Sequence, residues 1–225
     1  MEKNLKHSGT RSTEVCQREI DHAVFAREAA EEGIVLLKNE GLLPLKKDTK
    51  IALLGIGAEK TIKGGTGSGD VNNRESVSIY AGMKEKNAGI VSEEWLKDYH
   101  NRYEQARTEW KEQILEAAKH VDNPFDAYAA NPFAMPDGRA VTNEDIEAAE
   151  AAVYVISRIS GEGKDRRKRK GDYYLSDQEE KDLYFLNEQK IPTVLILNAG
   201  GPVELTDLLA GTENICAILN ISQLG

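Results

Sequence analysis

Cysteine is nearly absent from this chain: two residues in 225, Cys16 and Cys216, far apart and in no metal-ligand spacing. That pattern gives neither a disulfide framework nor a cysteine metal site, and it predicts two reduced thiols in a reducing compartment. Long apolar runs are also missing, since nothing approaches the roughly 20 residues needed to cross a bilayer. Residues 1–17 are polar and mixed in charge, without the apolar centre of a secretory signal. The expected location is therefore the cytoplasm, with no membrane partner. The third absence is an excess of positive charge. With 29 basic and 38 acidic residues the net charge is −9, which argues against a general nucleic-acid binder, because such domains carry a basic face that neutralises phosphates. Internal repeats and low-complexity tracts are absent as well. The length suffices for a full core without disulfide or metal staples, and no cofactor or metal is expected.

What is present alternates between two periodicities. Ala26, Ala30, Ile34 and Leu37 recur at helical spacing, with Asp21 placed to cap the start, predicting a helix from about Asp21 into the mid-thirties, with residues 1–20 a polar N-terminal segment and 21–225 the α/β sandwich domain. Residues 50–55 form a compact apolar run closed by glycine, as expected of a strand buried on both faces. Val77, Tyr80, Ala81 and Lys84 mark a short helix. Ser92 is placed to cap a helix that carries a stripe of Trp95, Tyr99, Tyr103, Ala106, Trp110, Ile114 and Ala117, the clearest helix in the chain. Between His120 and Arg139, Pro124, Pro132 and Pro136 disfavour helix and predict a long excursion. Thr142 with Asp145, and Ser176 with Glu179, are capping-box signals before two further helices. Residues 153–159, 191–198 and 215–221 are apolar strands, the second followed by a short helix near 203–209. Such alternation predicts an α/β fold: a three-layer α/β/α sandwich around a mostly parallel sheet. The chain stops directly after a strand, without the helix expected to cover it, so further sequence is expected beyond Gly225.

Three unusual loops follow the carboxyl ends of the predicted strands, Gly57 to Arg74, Ser160 to Asp172 and Asn198 to Pro202, where open α/β sheets bind ligands. Gly64-Gly65-Thr66-Gly67-Ser68-Gly69-Asp70 has the glycines of a phosphate loop, but Asp70 stands where a P-loop needs lysine and would repel phosphate. Ser157 to Gly163 presents a single acid, Glu162, between two glycines that let it approach a ligand closely. Residues 164–170 hold six basic side chains, expected to form a solvated loop pointing mostly away from Glu162, because cationic neighbours would lower the pKa that a general acid needs raised. Asp70 or Asp165 could supply a second carboxylate, and spacing does not choose between them.

Taken together, residues 26–39, 64–72, 157–165, 170–176 and 197–204 resemble glycoside hydrolase family 3, specifically the α/β sandwich domain of its β-glucosidase-like members, in the family's order and over nearly the whole chain from Asp21. The resemblance implies a retaining, exo-acting β-glycosidase that releases terminal sugars. Glu162 matches the family's general acid/base. Ser68 matches a loop serine that approaches the sugar, with Gly67, Gly69 and Asp70 shaping that loop. A retaining enzyme needs a second carboxyl group about 5 Å away as nucleophile. In the family this is an aspartate on a (β/α)₈ barrel, in an Asp-Trp type motif, and neither Trp95 nor Trp110 follows an aspartate here. The barrel of the same enzyme is thus an expected partner, alongside the sugar substrate, and the isolated chain is expected to be inactive. A sandwich that begins near Met1 fits either a permuted enzyme with this domain first or a piece excised from the usual order. The alternative function is a non-catalytic carbohydrate-binding module, with a flavodoxin-like nucleotide binder behind it; oligomeric state is left open.

Overall fold

The computed structural model describes residues 13–65, 69, 73–86, 88–161 and 166–223. The chain forms two units, Met1–Gly33 and Ile34–Gly225. In the first, helix α1 spans Gln17–Gly33 and has no buried residue. Its exposed surface carries local pairs one turn apart: Gln17 donates to Asp21 at 2.9 Å, and Arg27 meets Glu31 at 3.0 Å. Asp21 therefore lies inside the helix rather than capping it.

The helix does not run into the mid-thirties as its periodicity predicts. Val35–Asn39 instead forms strand β1, paired antiparallel with strand β6 (Ile215–Asn220) through Val35↔Asn220 and Leu36↔Leu219. Gly33 ends the helix, and the consecutive apolar residues after it satisfy a strand as well as a helix face. Only the distant partner strand decides between the two.

The second unit is built on a six-stranded sheet in the order β1-β6-β5-β4-β2-β3, where β2 is Lys50–Leu54, β3 Gly89–Ile90, β4 Ala151–Arg158 and β5 Thr193–Ala199. Every pairing except β1 with β6 is parallel. All eight residues of β4 and all seven of β5 are buried, as parallel strands covered on both faces require. Leu53, Leu54, Val155, Ile156, Val194 and Leu195 make the centre of the core. Each such side chain contributes roughly 1.5–3 kcal/mol on leaving water.

Helices connect the strands: α2 (Ile79–Glu85), α3 (Glu93–Ala117), α4 (Pro124–Ala130), α5 (Asn143–Ile146), α6 (Asp177–Glu188) and α7 (Thr206–Gly211). The stripe on α3 is real, with Trp95 and Tyr99 fully buried and stacked 5.8 Å apart. Ser92 sits at its N-cap, yet its hydroxyl donates to the Leu53 carbonyl at 2.7 Å and makes no cap bond. The strand end outcompetes the cap for that buried group.

The proline-rich excursion contains a helix after all. Pro124 occupies the first turn of α4, where its missing N–H costs nothing, and Asn123 caps it by accepting from the Phe125 N–H at 3.1 Å. Trp110 anchors the segment: its Nε1 donates to the Asn131 carbonyl at 2.7 Å, and its ring packs edge-on to Phe133. Both capping boxes form. At α6 the Ser176 Oγ accepts from the Glu179 N–H, and Glu179 accepts from the Ser176 N–H at 2.8 Å.

Candidate functional site

The strand order fixes where a ligand crevice opens. From β2 the chain moves outward to β3, then returns across β2 to lay down β4, β5 and β6 on the other side. Strands β2 and β4 are therefore adjacent in space while the connections that follow them lead to strands on opposite sides, β3 and β5, which is the topological switch point of a doubly wound sheet. The glycine-rich loop leaves β2 here, and the Ser157–Gly161 segment leaves β4 beside it.

Backbone contact holds the two loops together. Gly55, at the end of β2, has φ +88°, and a Cβ there would stand 2.3 Å from the Val155 carbonyl, so only glycine lets the chain turn against β4. Further on, a Cβ on Gly65 would stand 2.1 Å from the Ser160 carbonyl. The two candidate loops thus touch main chain to main chain at Gly65 and Ser160.

Asn198, at the end of β5, ties this corner to a third loop. Its Oδ1 accepts from the Ile62 N–H and the Ser157 hydroxyl, both at 2.7 Å. Its Nδ2 donates to the carbonyls of Ile62 at 2.7 Å and Ser222 at 2.8 Å. The side chain is fully buried and fully used. Sequence reasoning did not single Asn198 out as a site residue, although one polar amide at the end of an otherwise apolar strand was the available signal.

A second polar framework lies behind Ser157. Arg158 closes β4 and is 5% exposed, with its guanidinium bidentate on Glu179 of α6 at 2.7 and 2.6 Å. Its remaining N–H groups donate to the carbonyls of Ser157 at 2.8 Å, Asp172 at 2.8 Å and Tyr174 at 3.3 Å. Glu179 therefore serves as both capping residue and counter-ion. Asp172 accepts from Arg166 Nε at 2.8 Å and from the Arg167 N–H at 2.7 Å. Burial pushes the Asp172 carboxyl up, but these two donors outweigh it and leave it below its ordinary value.

Between these frameworks lies a cavity of about 770 Å³. Ile56, Pro132, Phe133 and Met135 form an apolar wall, and Ser157, Gly161, Arg166, Arg167 and Asp172 a polar one. An apolar wall with a few polar groups is the usual make-up of a small-molecule site. Of the described part of the basic run, Arg166, Arg167 and Arg169 line this cavity rather than pointing away from it. Arg166 faces Asp172, and Lys170 bonds Asp177 and Glu180, which push its pKa up to about 12. Glu162, Ser68, Gly67 and Asp70, the predicted site residues, lie outside the described residues, as does Asp165. Their described neighbours placed above are Gly65 on one loop and Gly161 and Arg166 on the other. Both cysteines are free, and among the described residues no cluster of His, Cys, Asp and Glu could hold a metal ion.

A doubly wound α/β sandwich with a crevice at its switch point is the class that fold and site define. Within it, a family model described as the glycosyl hydrolase family 3 C-terminal domain matches residues 34–225, and the chain belongs to that family. The match starts where the second unit starts. Similar proteins include β-glucosidase A of Butyrivibrio fibrisolvens, 29% identical over 208 residues that cover 82% of this chain and 23% of the relative. A β-glucosidase of Ruminococcus albus is 28% identical over 193 residues, covering 83% and 19%. Among solved structures, β-glucosidase 3B from Thermotoga neapolitana in complex with glycerol superposes with a TM-score of 0.71 at 36% identity, covering 92% of this chain and 27% of that one. The same enzyme in complex with α-D-glucose gives 0.68. The chain thus spans about a quarter or less of the length of these relatives. Among the described residues no helix is long and apolar enough to cross a membrane.

Proposed function

We propose that this domain supplies the general acid/base of a retaining, exo-acting β-glycosidase of β-glucosidase type, with Glu162 as that residue. Glu162 protonates the departing glycosidic oxygen and then takes the proton from the water that releases the sugar. Ser68, with Gly67 and Asp70, approaches the sugar from the neighbouring loop. The nucleophilic carboxylate comes from a barrel domain of the same enzyme, outside this chain. The reading places the enzyme in the cytoplasm, consistent with two distant free thiols.

The observation that carries this reading is the contact of Gly65 with Ser160 at the β2/β4 switch point. It brings the loop after β2 against the loop after β4 at the position where a doubly wound sheet opens its ligand crevice. Family membership supports the chemistry, and the similar β-glucosidase 3B from Thermotoga neapolitana is in complex with glycerol in one structure and α-D-glucose in another.

The test uses the whole enzyme that carries this domain. Glu162→Ala is expected to cripple hydrolysis of aryl β-glucosides with poor leaving groups, by about 10²–10⁴-fold, with partial rescue by azide. Unchanged kinetics would refute the assignment. The isolated chain is expected to give no turnover, because it lacks the nucleophile that the covalent step requires.

A further inference from the structure

We infer that the cavity at the β2/β4 switch point binds a small aromatic carboxylate, its ring on the wall of Phe133 and Met135 and its anionic group on Arg167 and Arg169. Resting on the glycosidase reading above, that ligand is the leaving-group part of the glycoside.

The cationic side of the cavity is a built turn and not a loose charge run. The Arg167 carbonyl accepts from the Arg169 N–H at 2.8 Å and the Tyr173 N–H at 3.3 Å, and the Arg169 carbonyl accepts from the N–H groups of Asp172 at 3.3 Å and Tyr174 at 3.1 Å. Main-chain bonds thus hold both arginines where they line the cavity. The charges in that wall do not cancel. Asp172 is the one carboxylate among the described lining residues, and its oxygens are engaged by Arg166 Nε at 2.8 Å and the Arg167 backbone N–H at 2.7 Å. Arg166 also donates to the Pro202 carbonyl at 2.7 Å, and Arg158 is neutralised by Glu179. Among the described residues the Arg167 side chain has no hydrogen-bond or ion-pair partner, and Arg169 has only a long approach to Asp172, at 4.0 Å. Two guanidinium groups are therefore in excess here, in a chain whose net charge is −9. A guanidinium fork matches the two oxygens of a carboxylate.

The opposite wall selects the rest of the ligand. Phe133 is fixed by its neighbours: its ring meets Tyr103 at 5.4 Å and Trp110 at 5.6 Å, both edge-on, with the Arg107 guanidinium 4.7 Å over it. Met135, two residues further on, adds a polarizable thioether that suits an aromatic ring. An apolar wall and paired cations in one cavity fit a ring that carries a carboxylate. Inorganic phosphate would satisfy only the cations, and a neutral phenol only the wall.

Binding is measured by calorimetry on the whole enzyme that carries this domain, with 4-hydroxybenzoate, its neutral analogue 4-hydroxybenzamide, and inorganic phosphate. The acid is expected to bind in roughly the millimolar range, about fivefold or more tighter than the amide. That preference should weaken as salt rises from about 0.05 to 0.5 M. Replacing both cations, Arg167→Gln with Arg169→Gln, is expected to abolish the preference, and each single change to remove part of it. Both side chains are exposed, so the melting temperature is expected to stay within a few degrees of wild type. Acid and amide binding within about twofold of each other, a preference that survives the double variant, or phosphate binding as tightly as the acid would each overturn the site. No turnover enters these measurements, so they hold whatever the role of Glu162. The leaving-group assignment is read from the ratio of kcat/KM for 4-carboxyphenyl over 4-carbamoylphenyl β-glucoside, expected to fall about fivefold in the double variant. An unmoved ratio beside intact binding would overturn that assignment alone, whereas unchanged kinetics in Glu162→Ala would overturn the acid/base reading and leave the binding result standing.

Discussion

Replacing Glu179 by Gln removes one charge from a pair that has no access to water. Arg158 and Glu179 are 5% and 3% exposed, and all five N–H donors of the guanidinium are engaged, two of them on the Glu179 carboxylate. A surface pair of the same geometry would contribute 0–1 kcal/mol or so. Here, after Glu179→Gln, the Arg158 cation keeps three carbonyl acceptors but has no counter-ion, and breaking a buried pair in this manner costs about 3–5 kcal/mol. For a chain of this size that corresponds to a fall in melting temperature of about 6–20 °C. The Gln side chain can still accept from the Ser176 N–H, so loss of the capping box adds little and the charge is isolated as the cause. Urea unfolding of the 225-residue chain and of the variant gives the difference directly. Adding Arg158→Met to Glu179→Gln removes the stranded cation and is expected to recover part of the loss. A destabilisation below about 1 kcal/mol, or a double variant worse than the sum of its parts, would show that the pair is solvated and that the burial argument is wrong.

Two further outcomes follow from other buried groups. Asn198→Ala strands the Ser157 hydroxyl, the Ile62 N–H and two carbonyls, at about 1–3 kcal/mol for each unpaired group. At least about 3 kcal/mol in urea unfolding is therefore expected, and a loss near 1 kcal/mol would mean that water replaces the amide. Asp145 contributes one part of the pH dependence of stability. Burial pushes its carboxyl up, but Arg139, bidentate at 2.7 and 2.6 Å, and the Thr142 donors outweigh it, so the net shift is downward. A depressed acid contributes stability that is full above its unfolded value of about 3.9 and is lost as pH falls through the folded one. Asp182 is pushed up by burial and acts in the opposite sense, but it cancels when wild type and Asp145→Asn are subtracted. The stability gap between them is expected to shrink from pH 6 to pH 2, and a constant gap would refute the assignment.

Much of the scaffold was legible because each signal is local. The apolar runs around Leu53, Val155 and Leu195 can only be strands buried on both faces, and the two capping boxes and the α3 stripe declare their helices by spacing. Where tertiary context competes, local signals fail. Residues 34–37 suit a helix face and a strand equally until β6 pairs with them, and Pro124 reads as a helix breaker until it sits at a first turn. The Ser92 hydroxyl left its expected cap for the Leu53 carbonyl, which no spacing could announce.

For the site, the sequence by itself determined the family: the glycine-rich loop, the acid between glycines, and their order in the chain marked it. It could not show that Gly65 lies against Ser160, that Asn198 joins three loops, or that Asp172 and Arg158 clamp the chain after residue 165. The Gly65 and Asn198 contacts join segments tens of residues apart, 41 in the case of Ser157 and Asn198. They exist only because the strand order reverses beside β2, and so the tertiary structure decided which loops share a crevice, while the residues decided what that crevice can do.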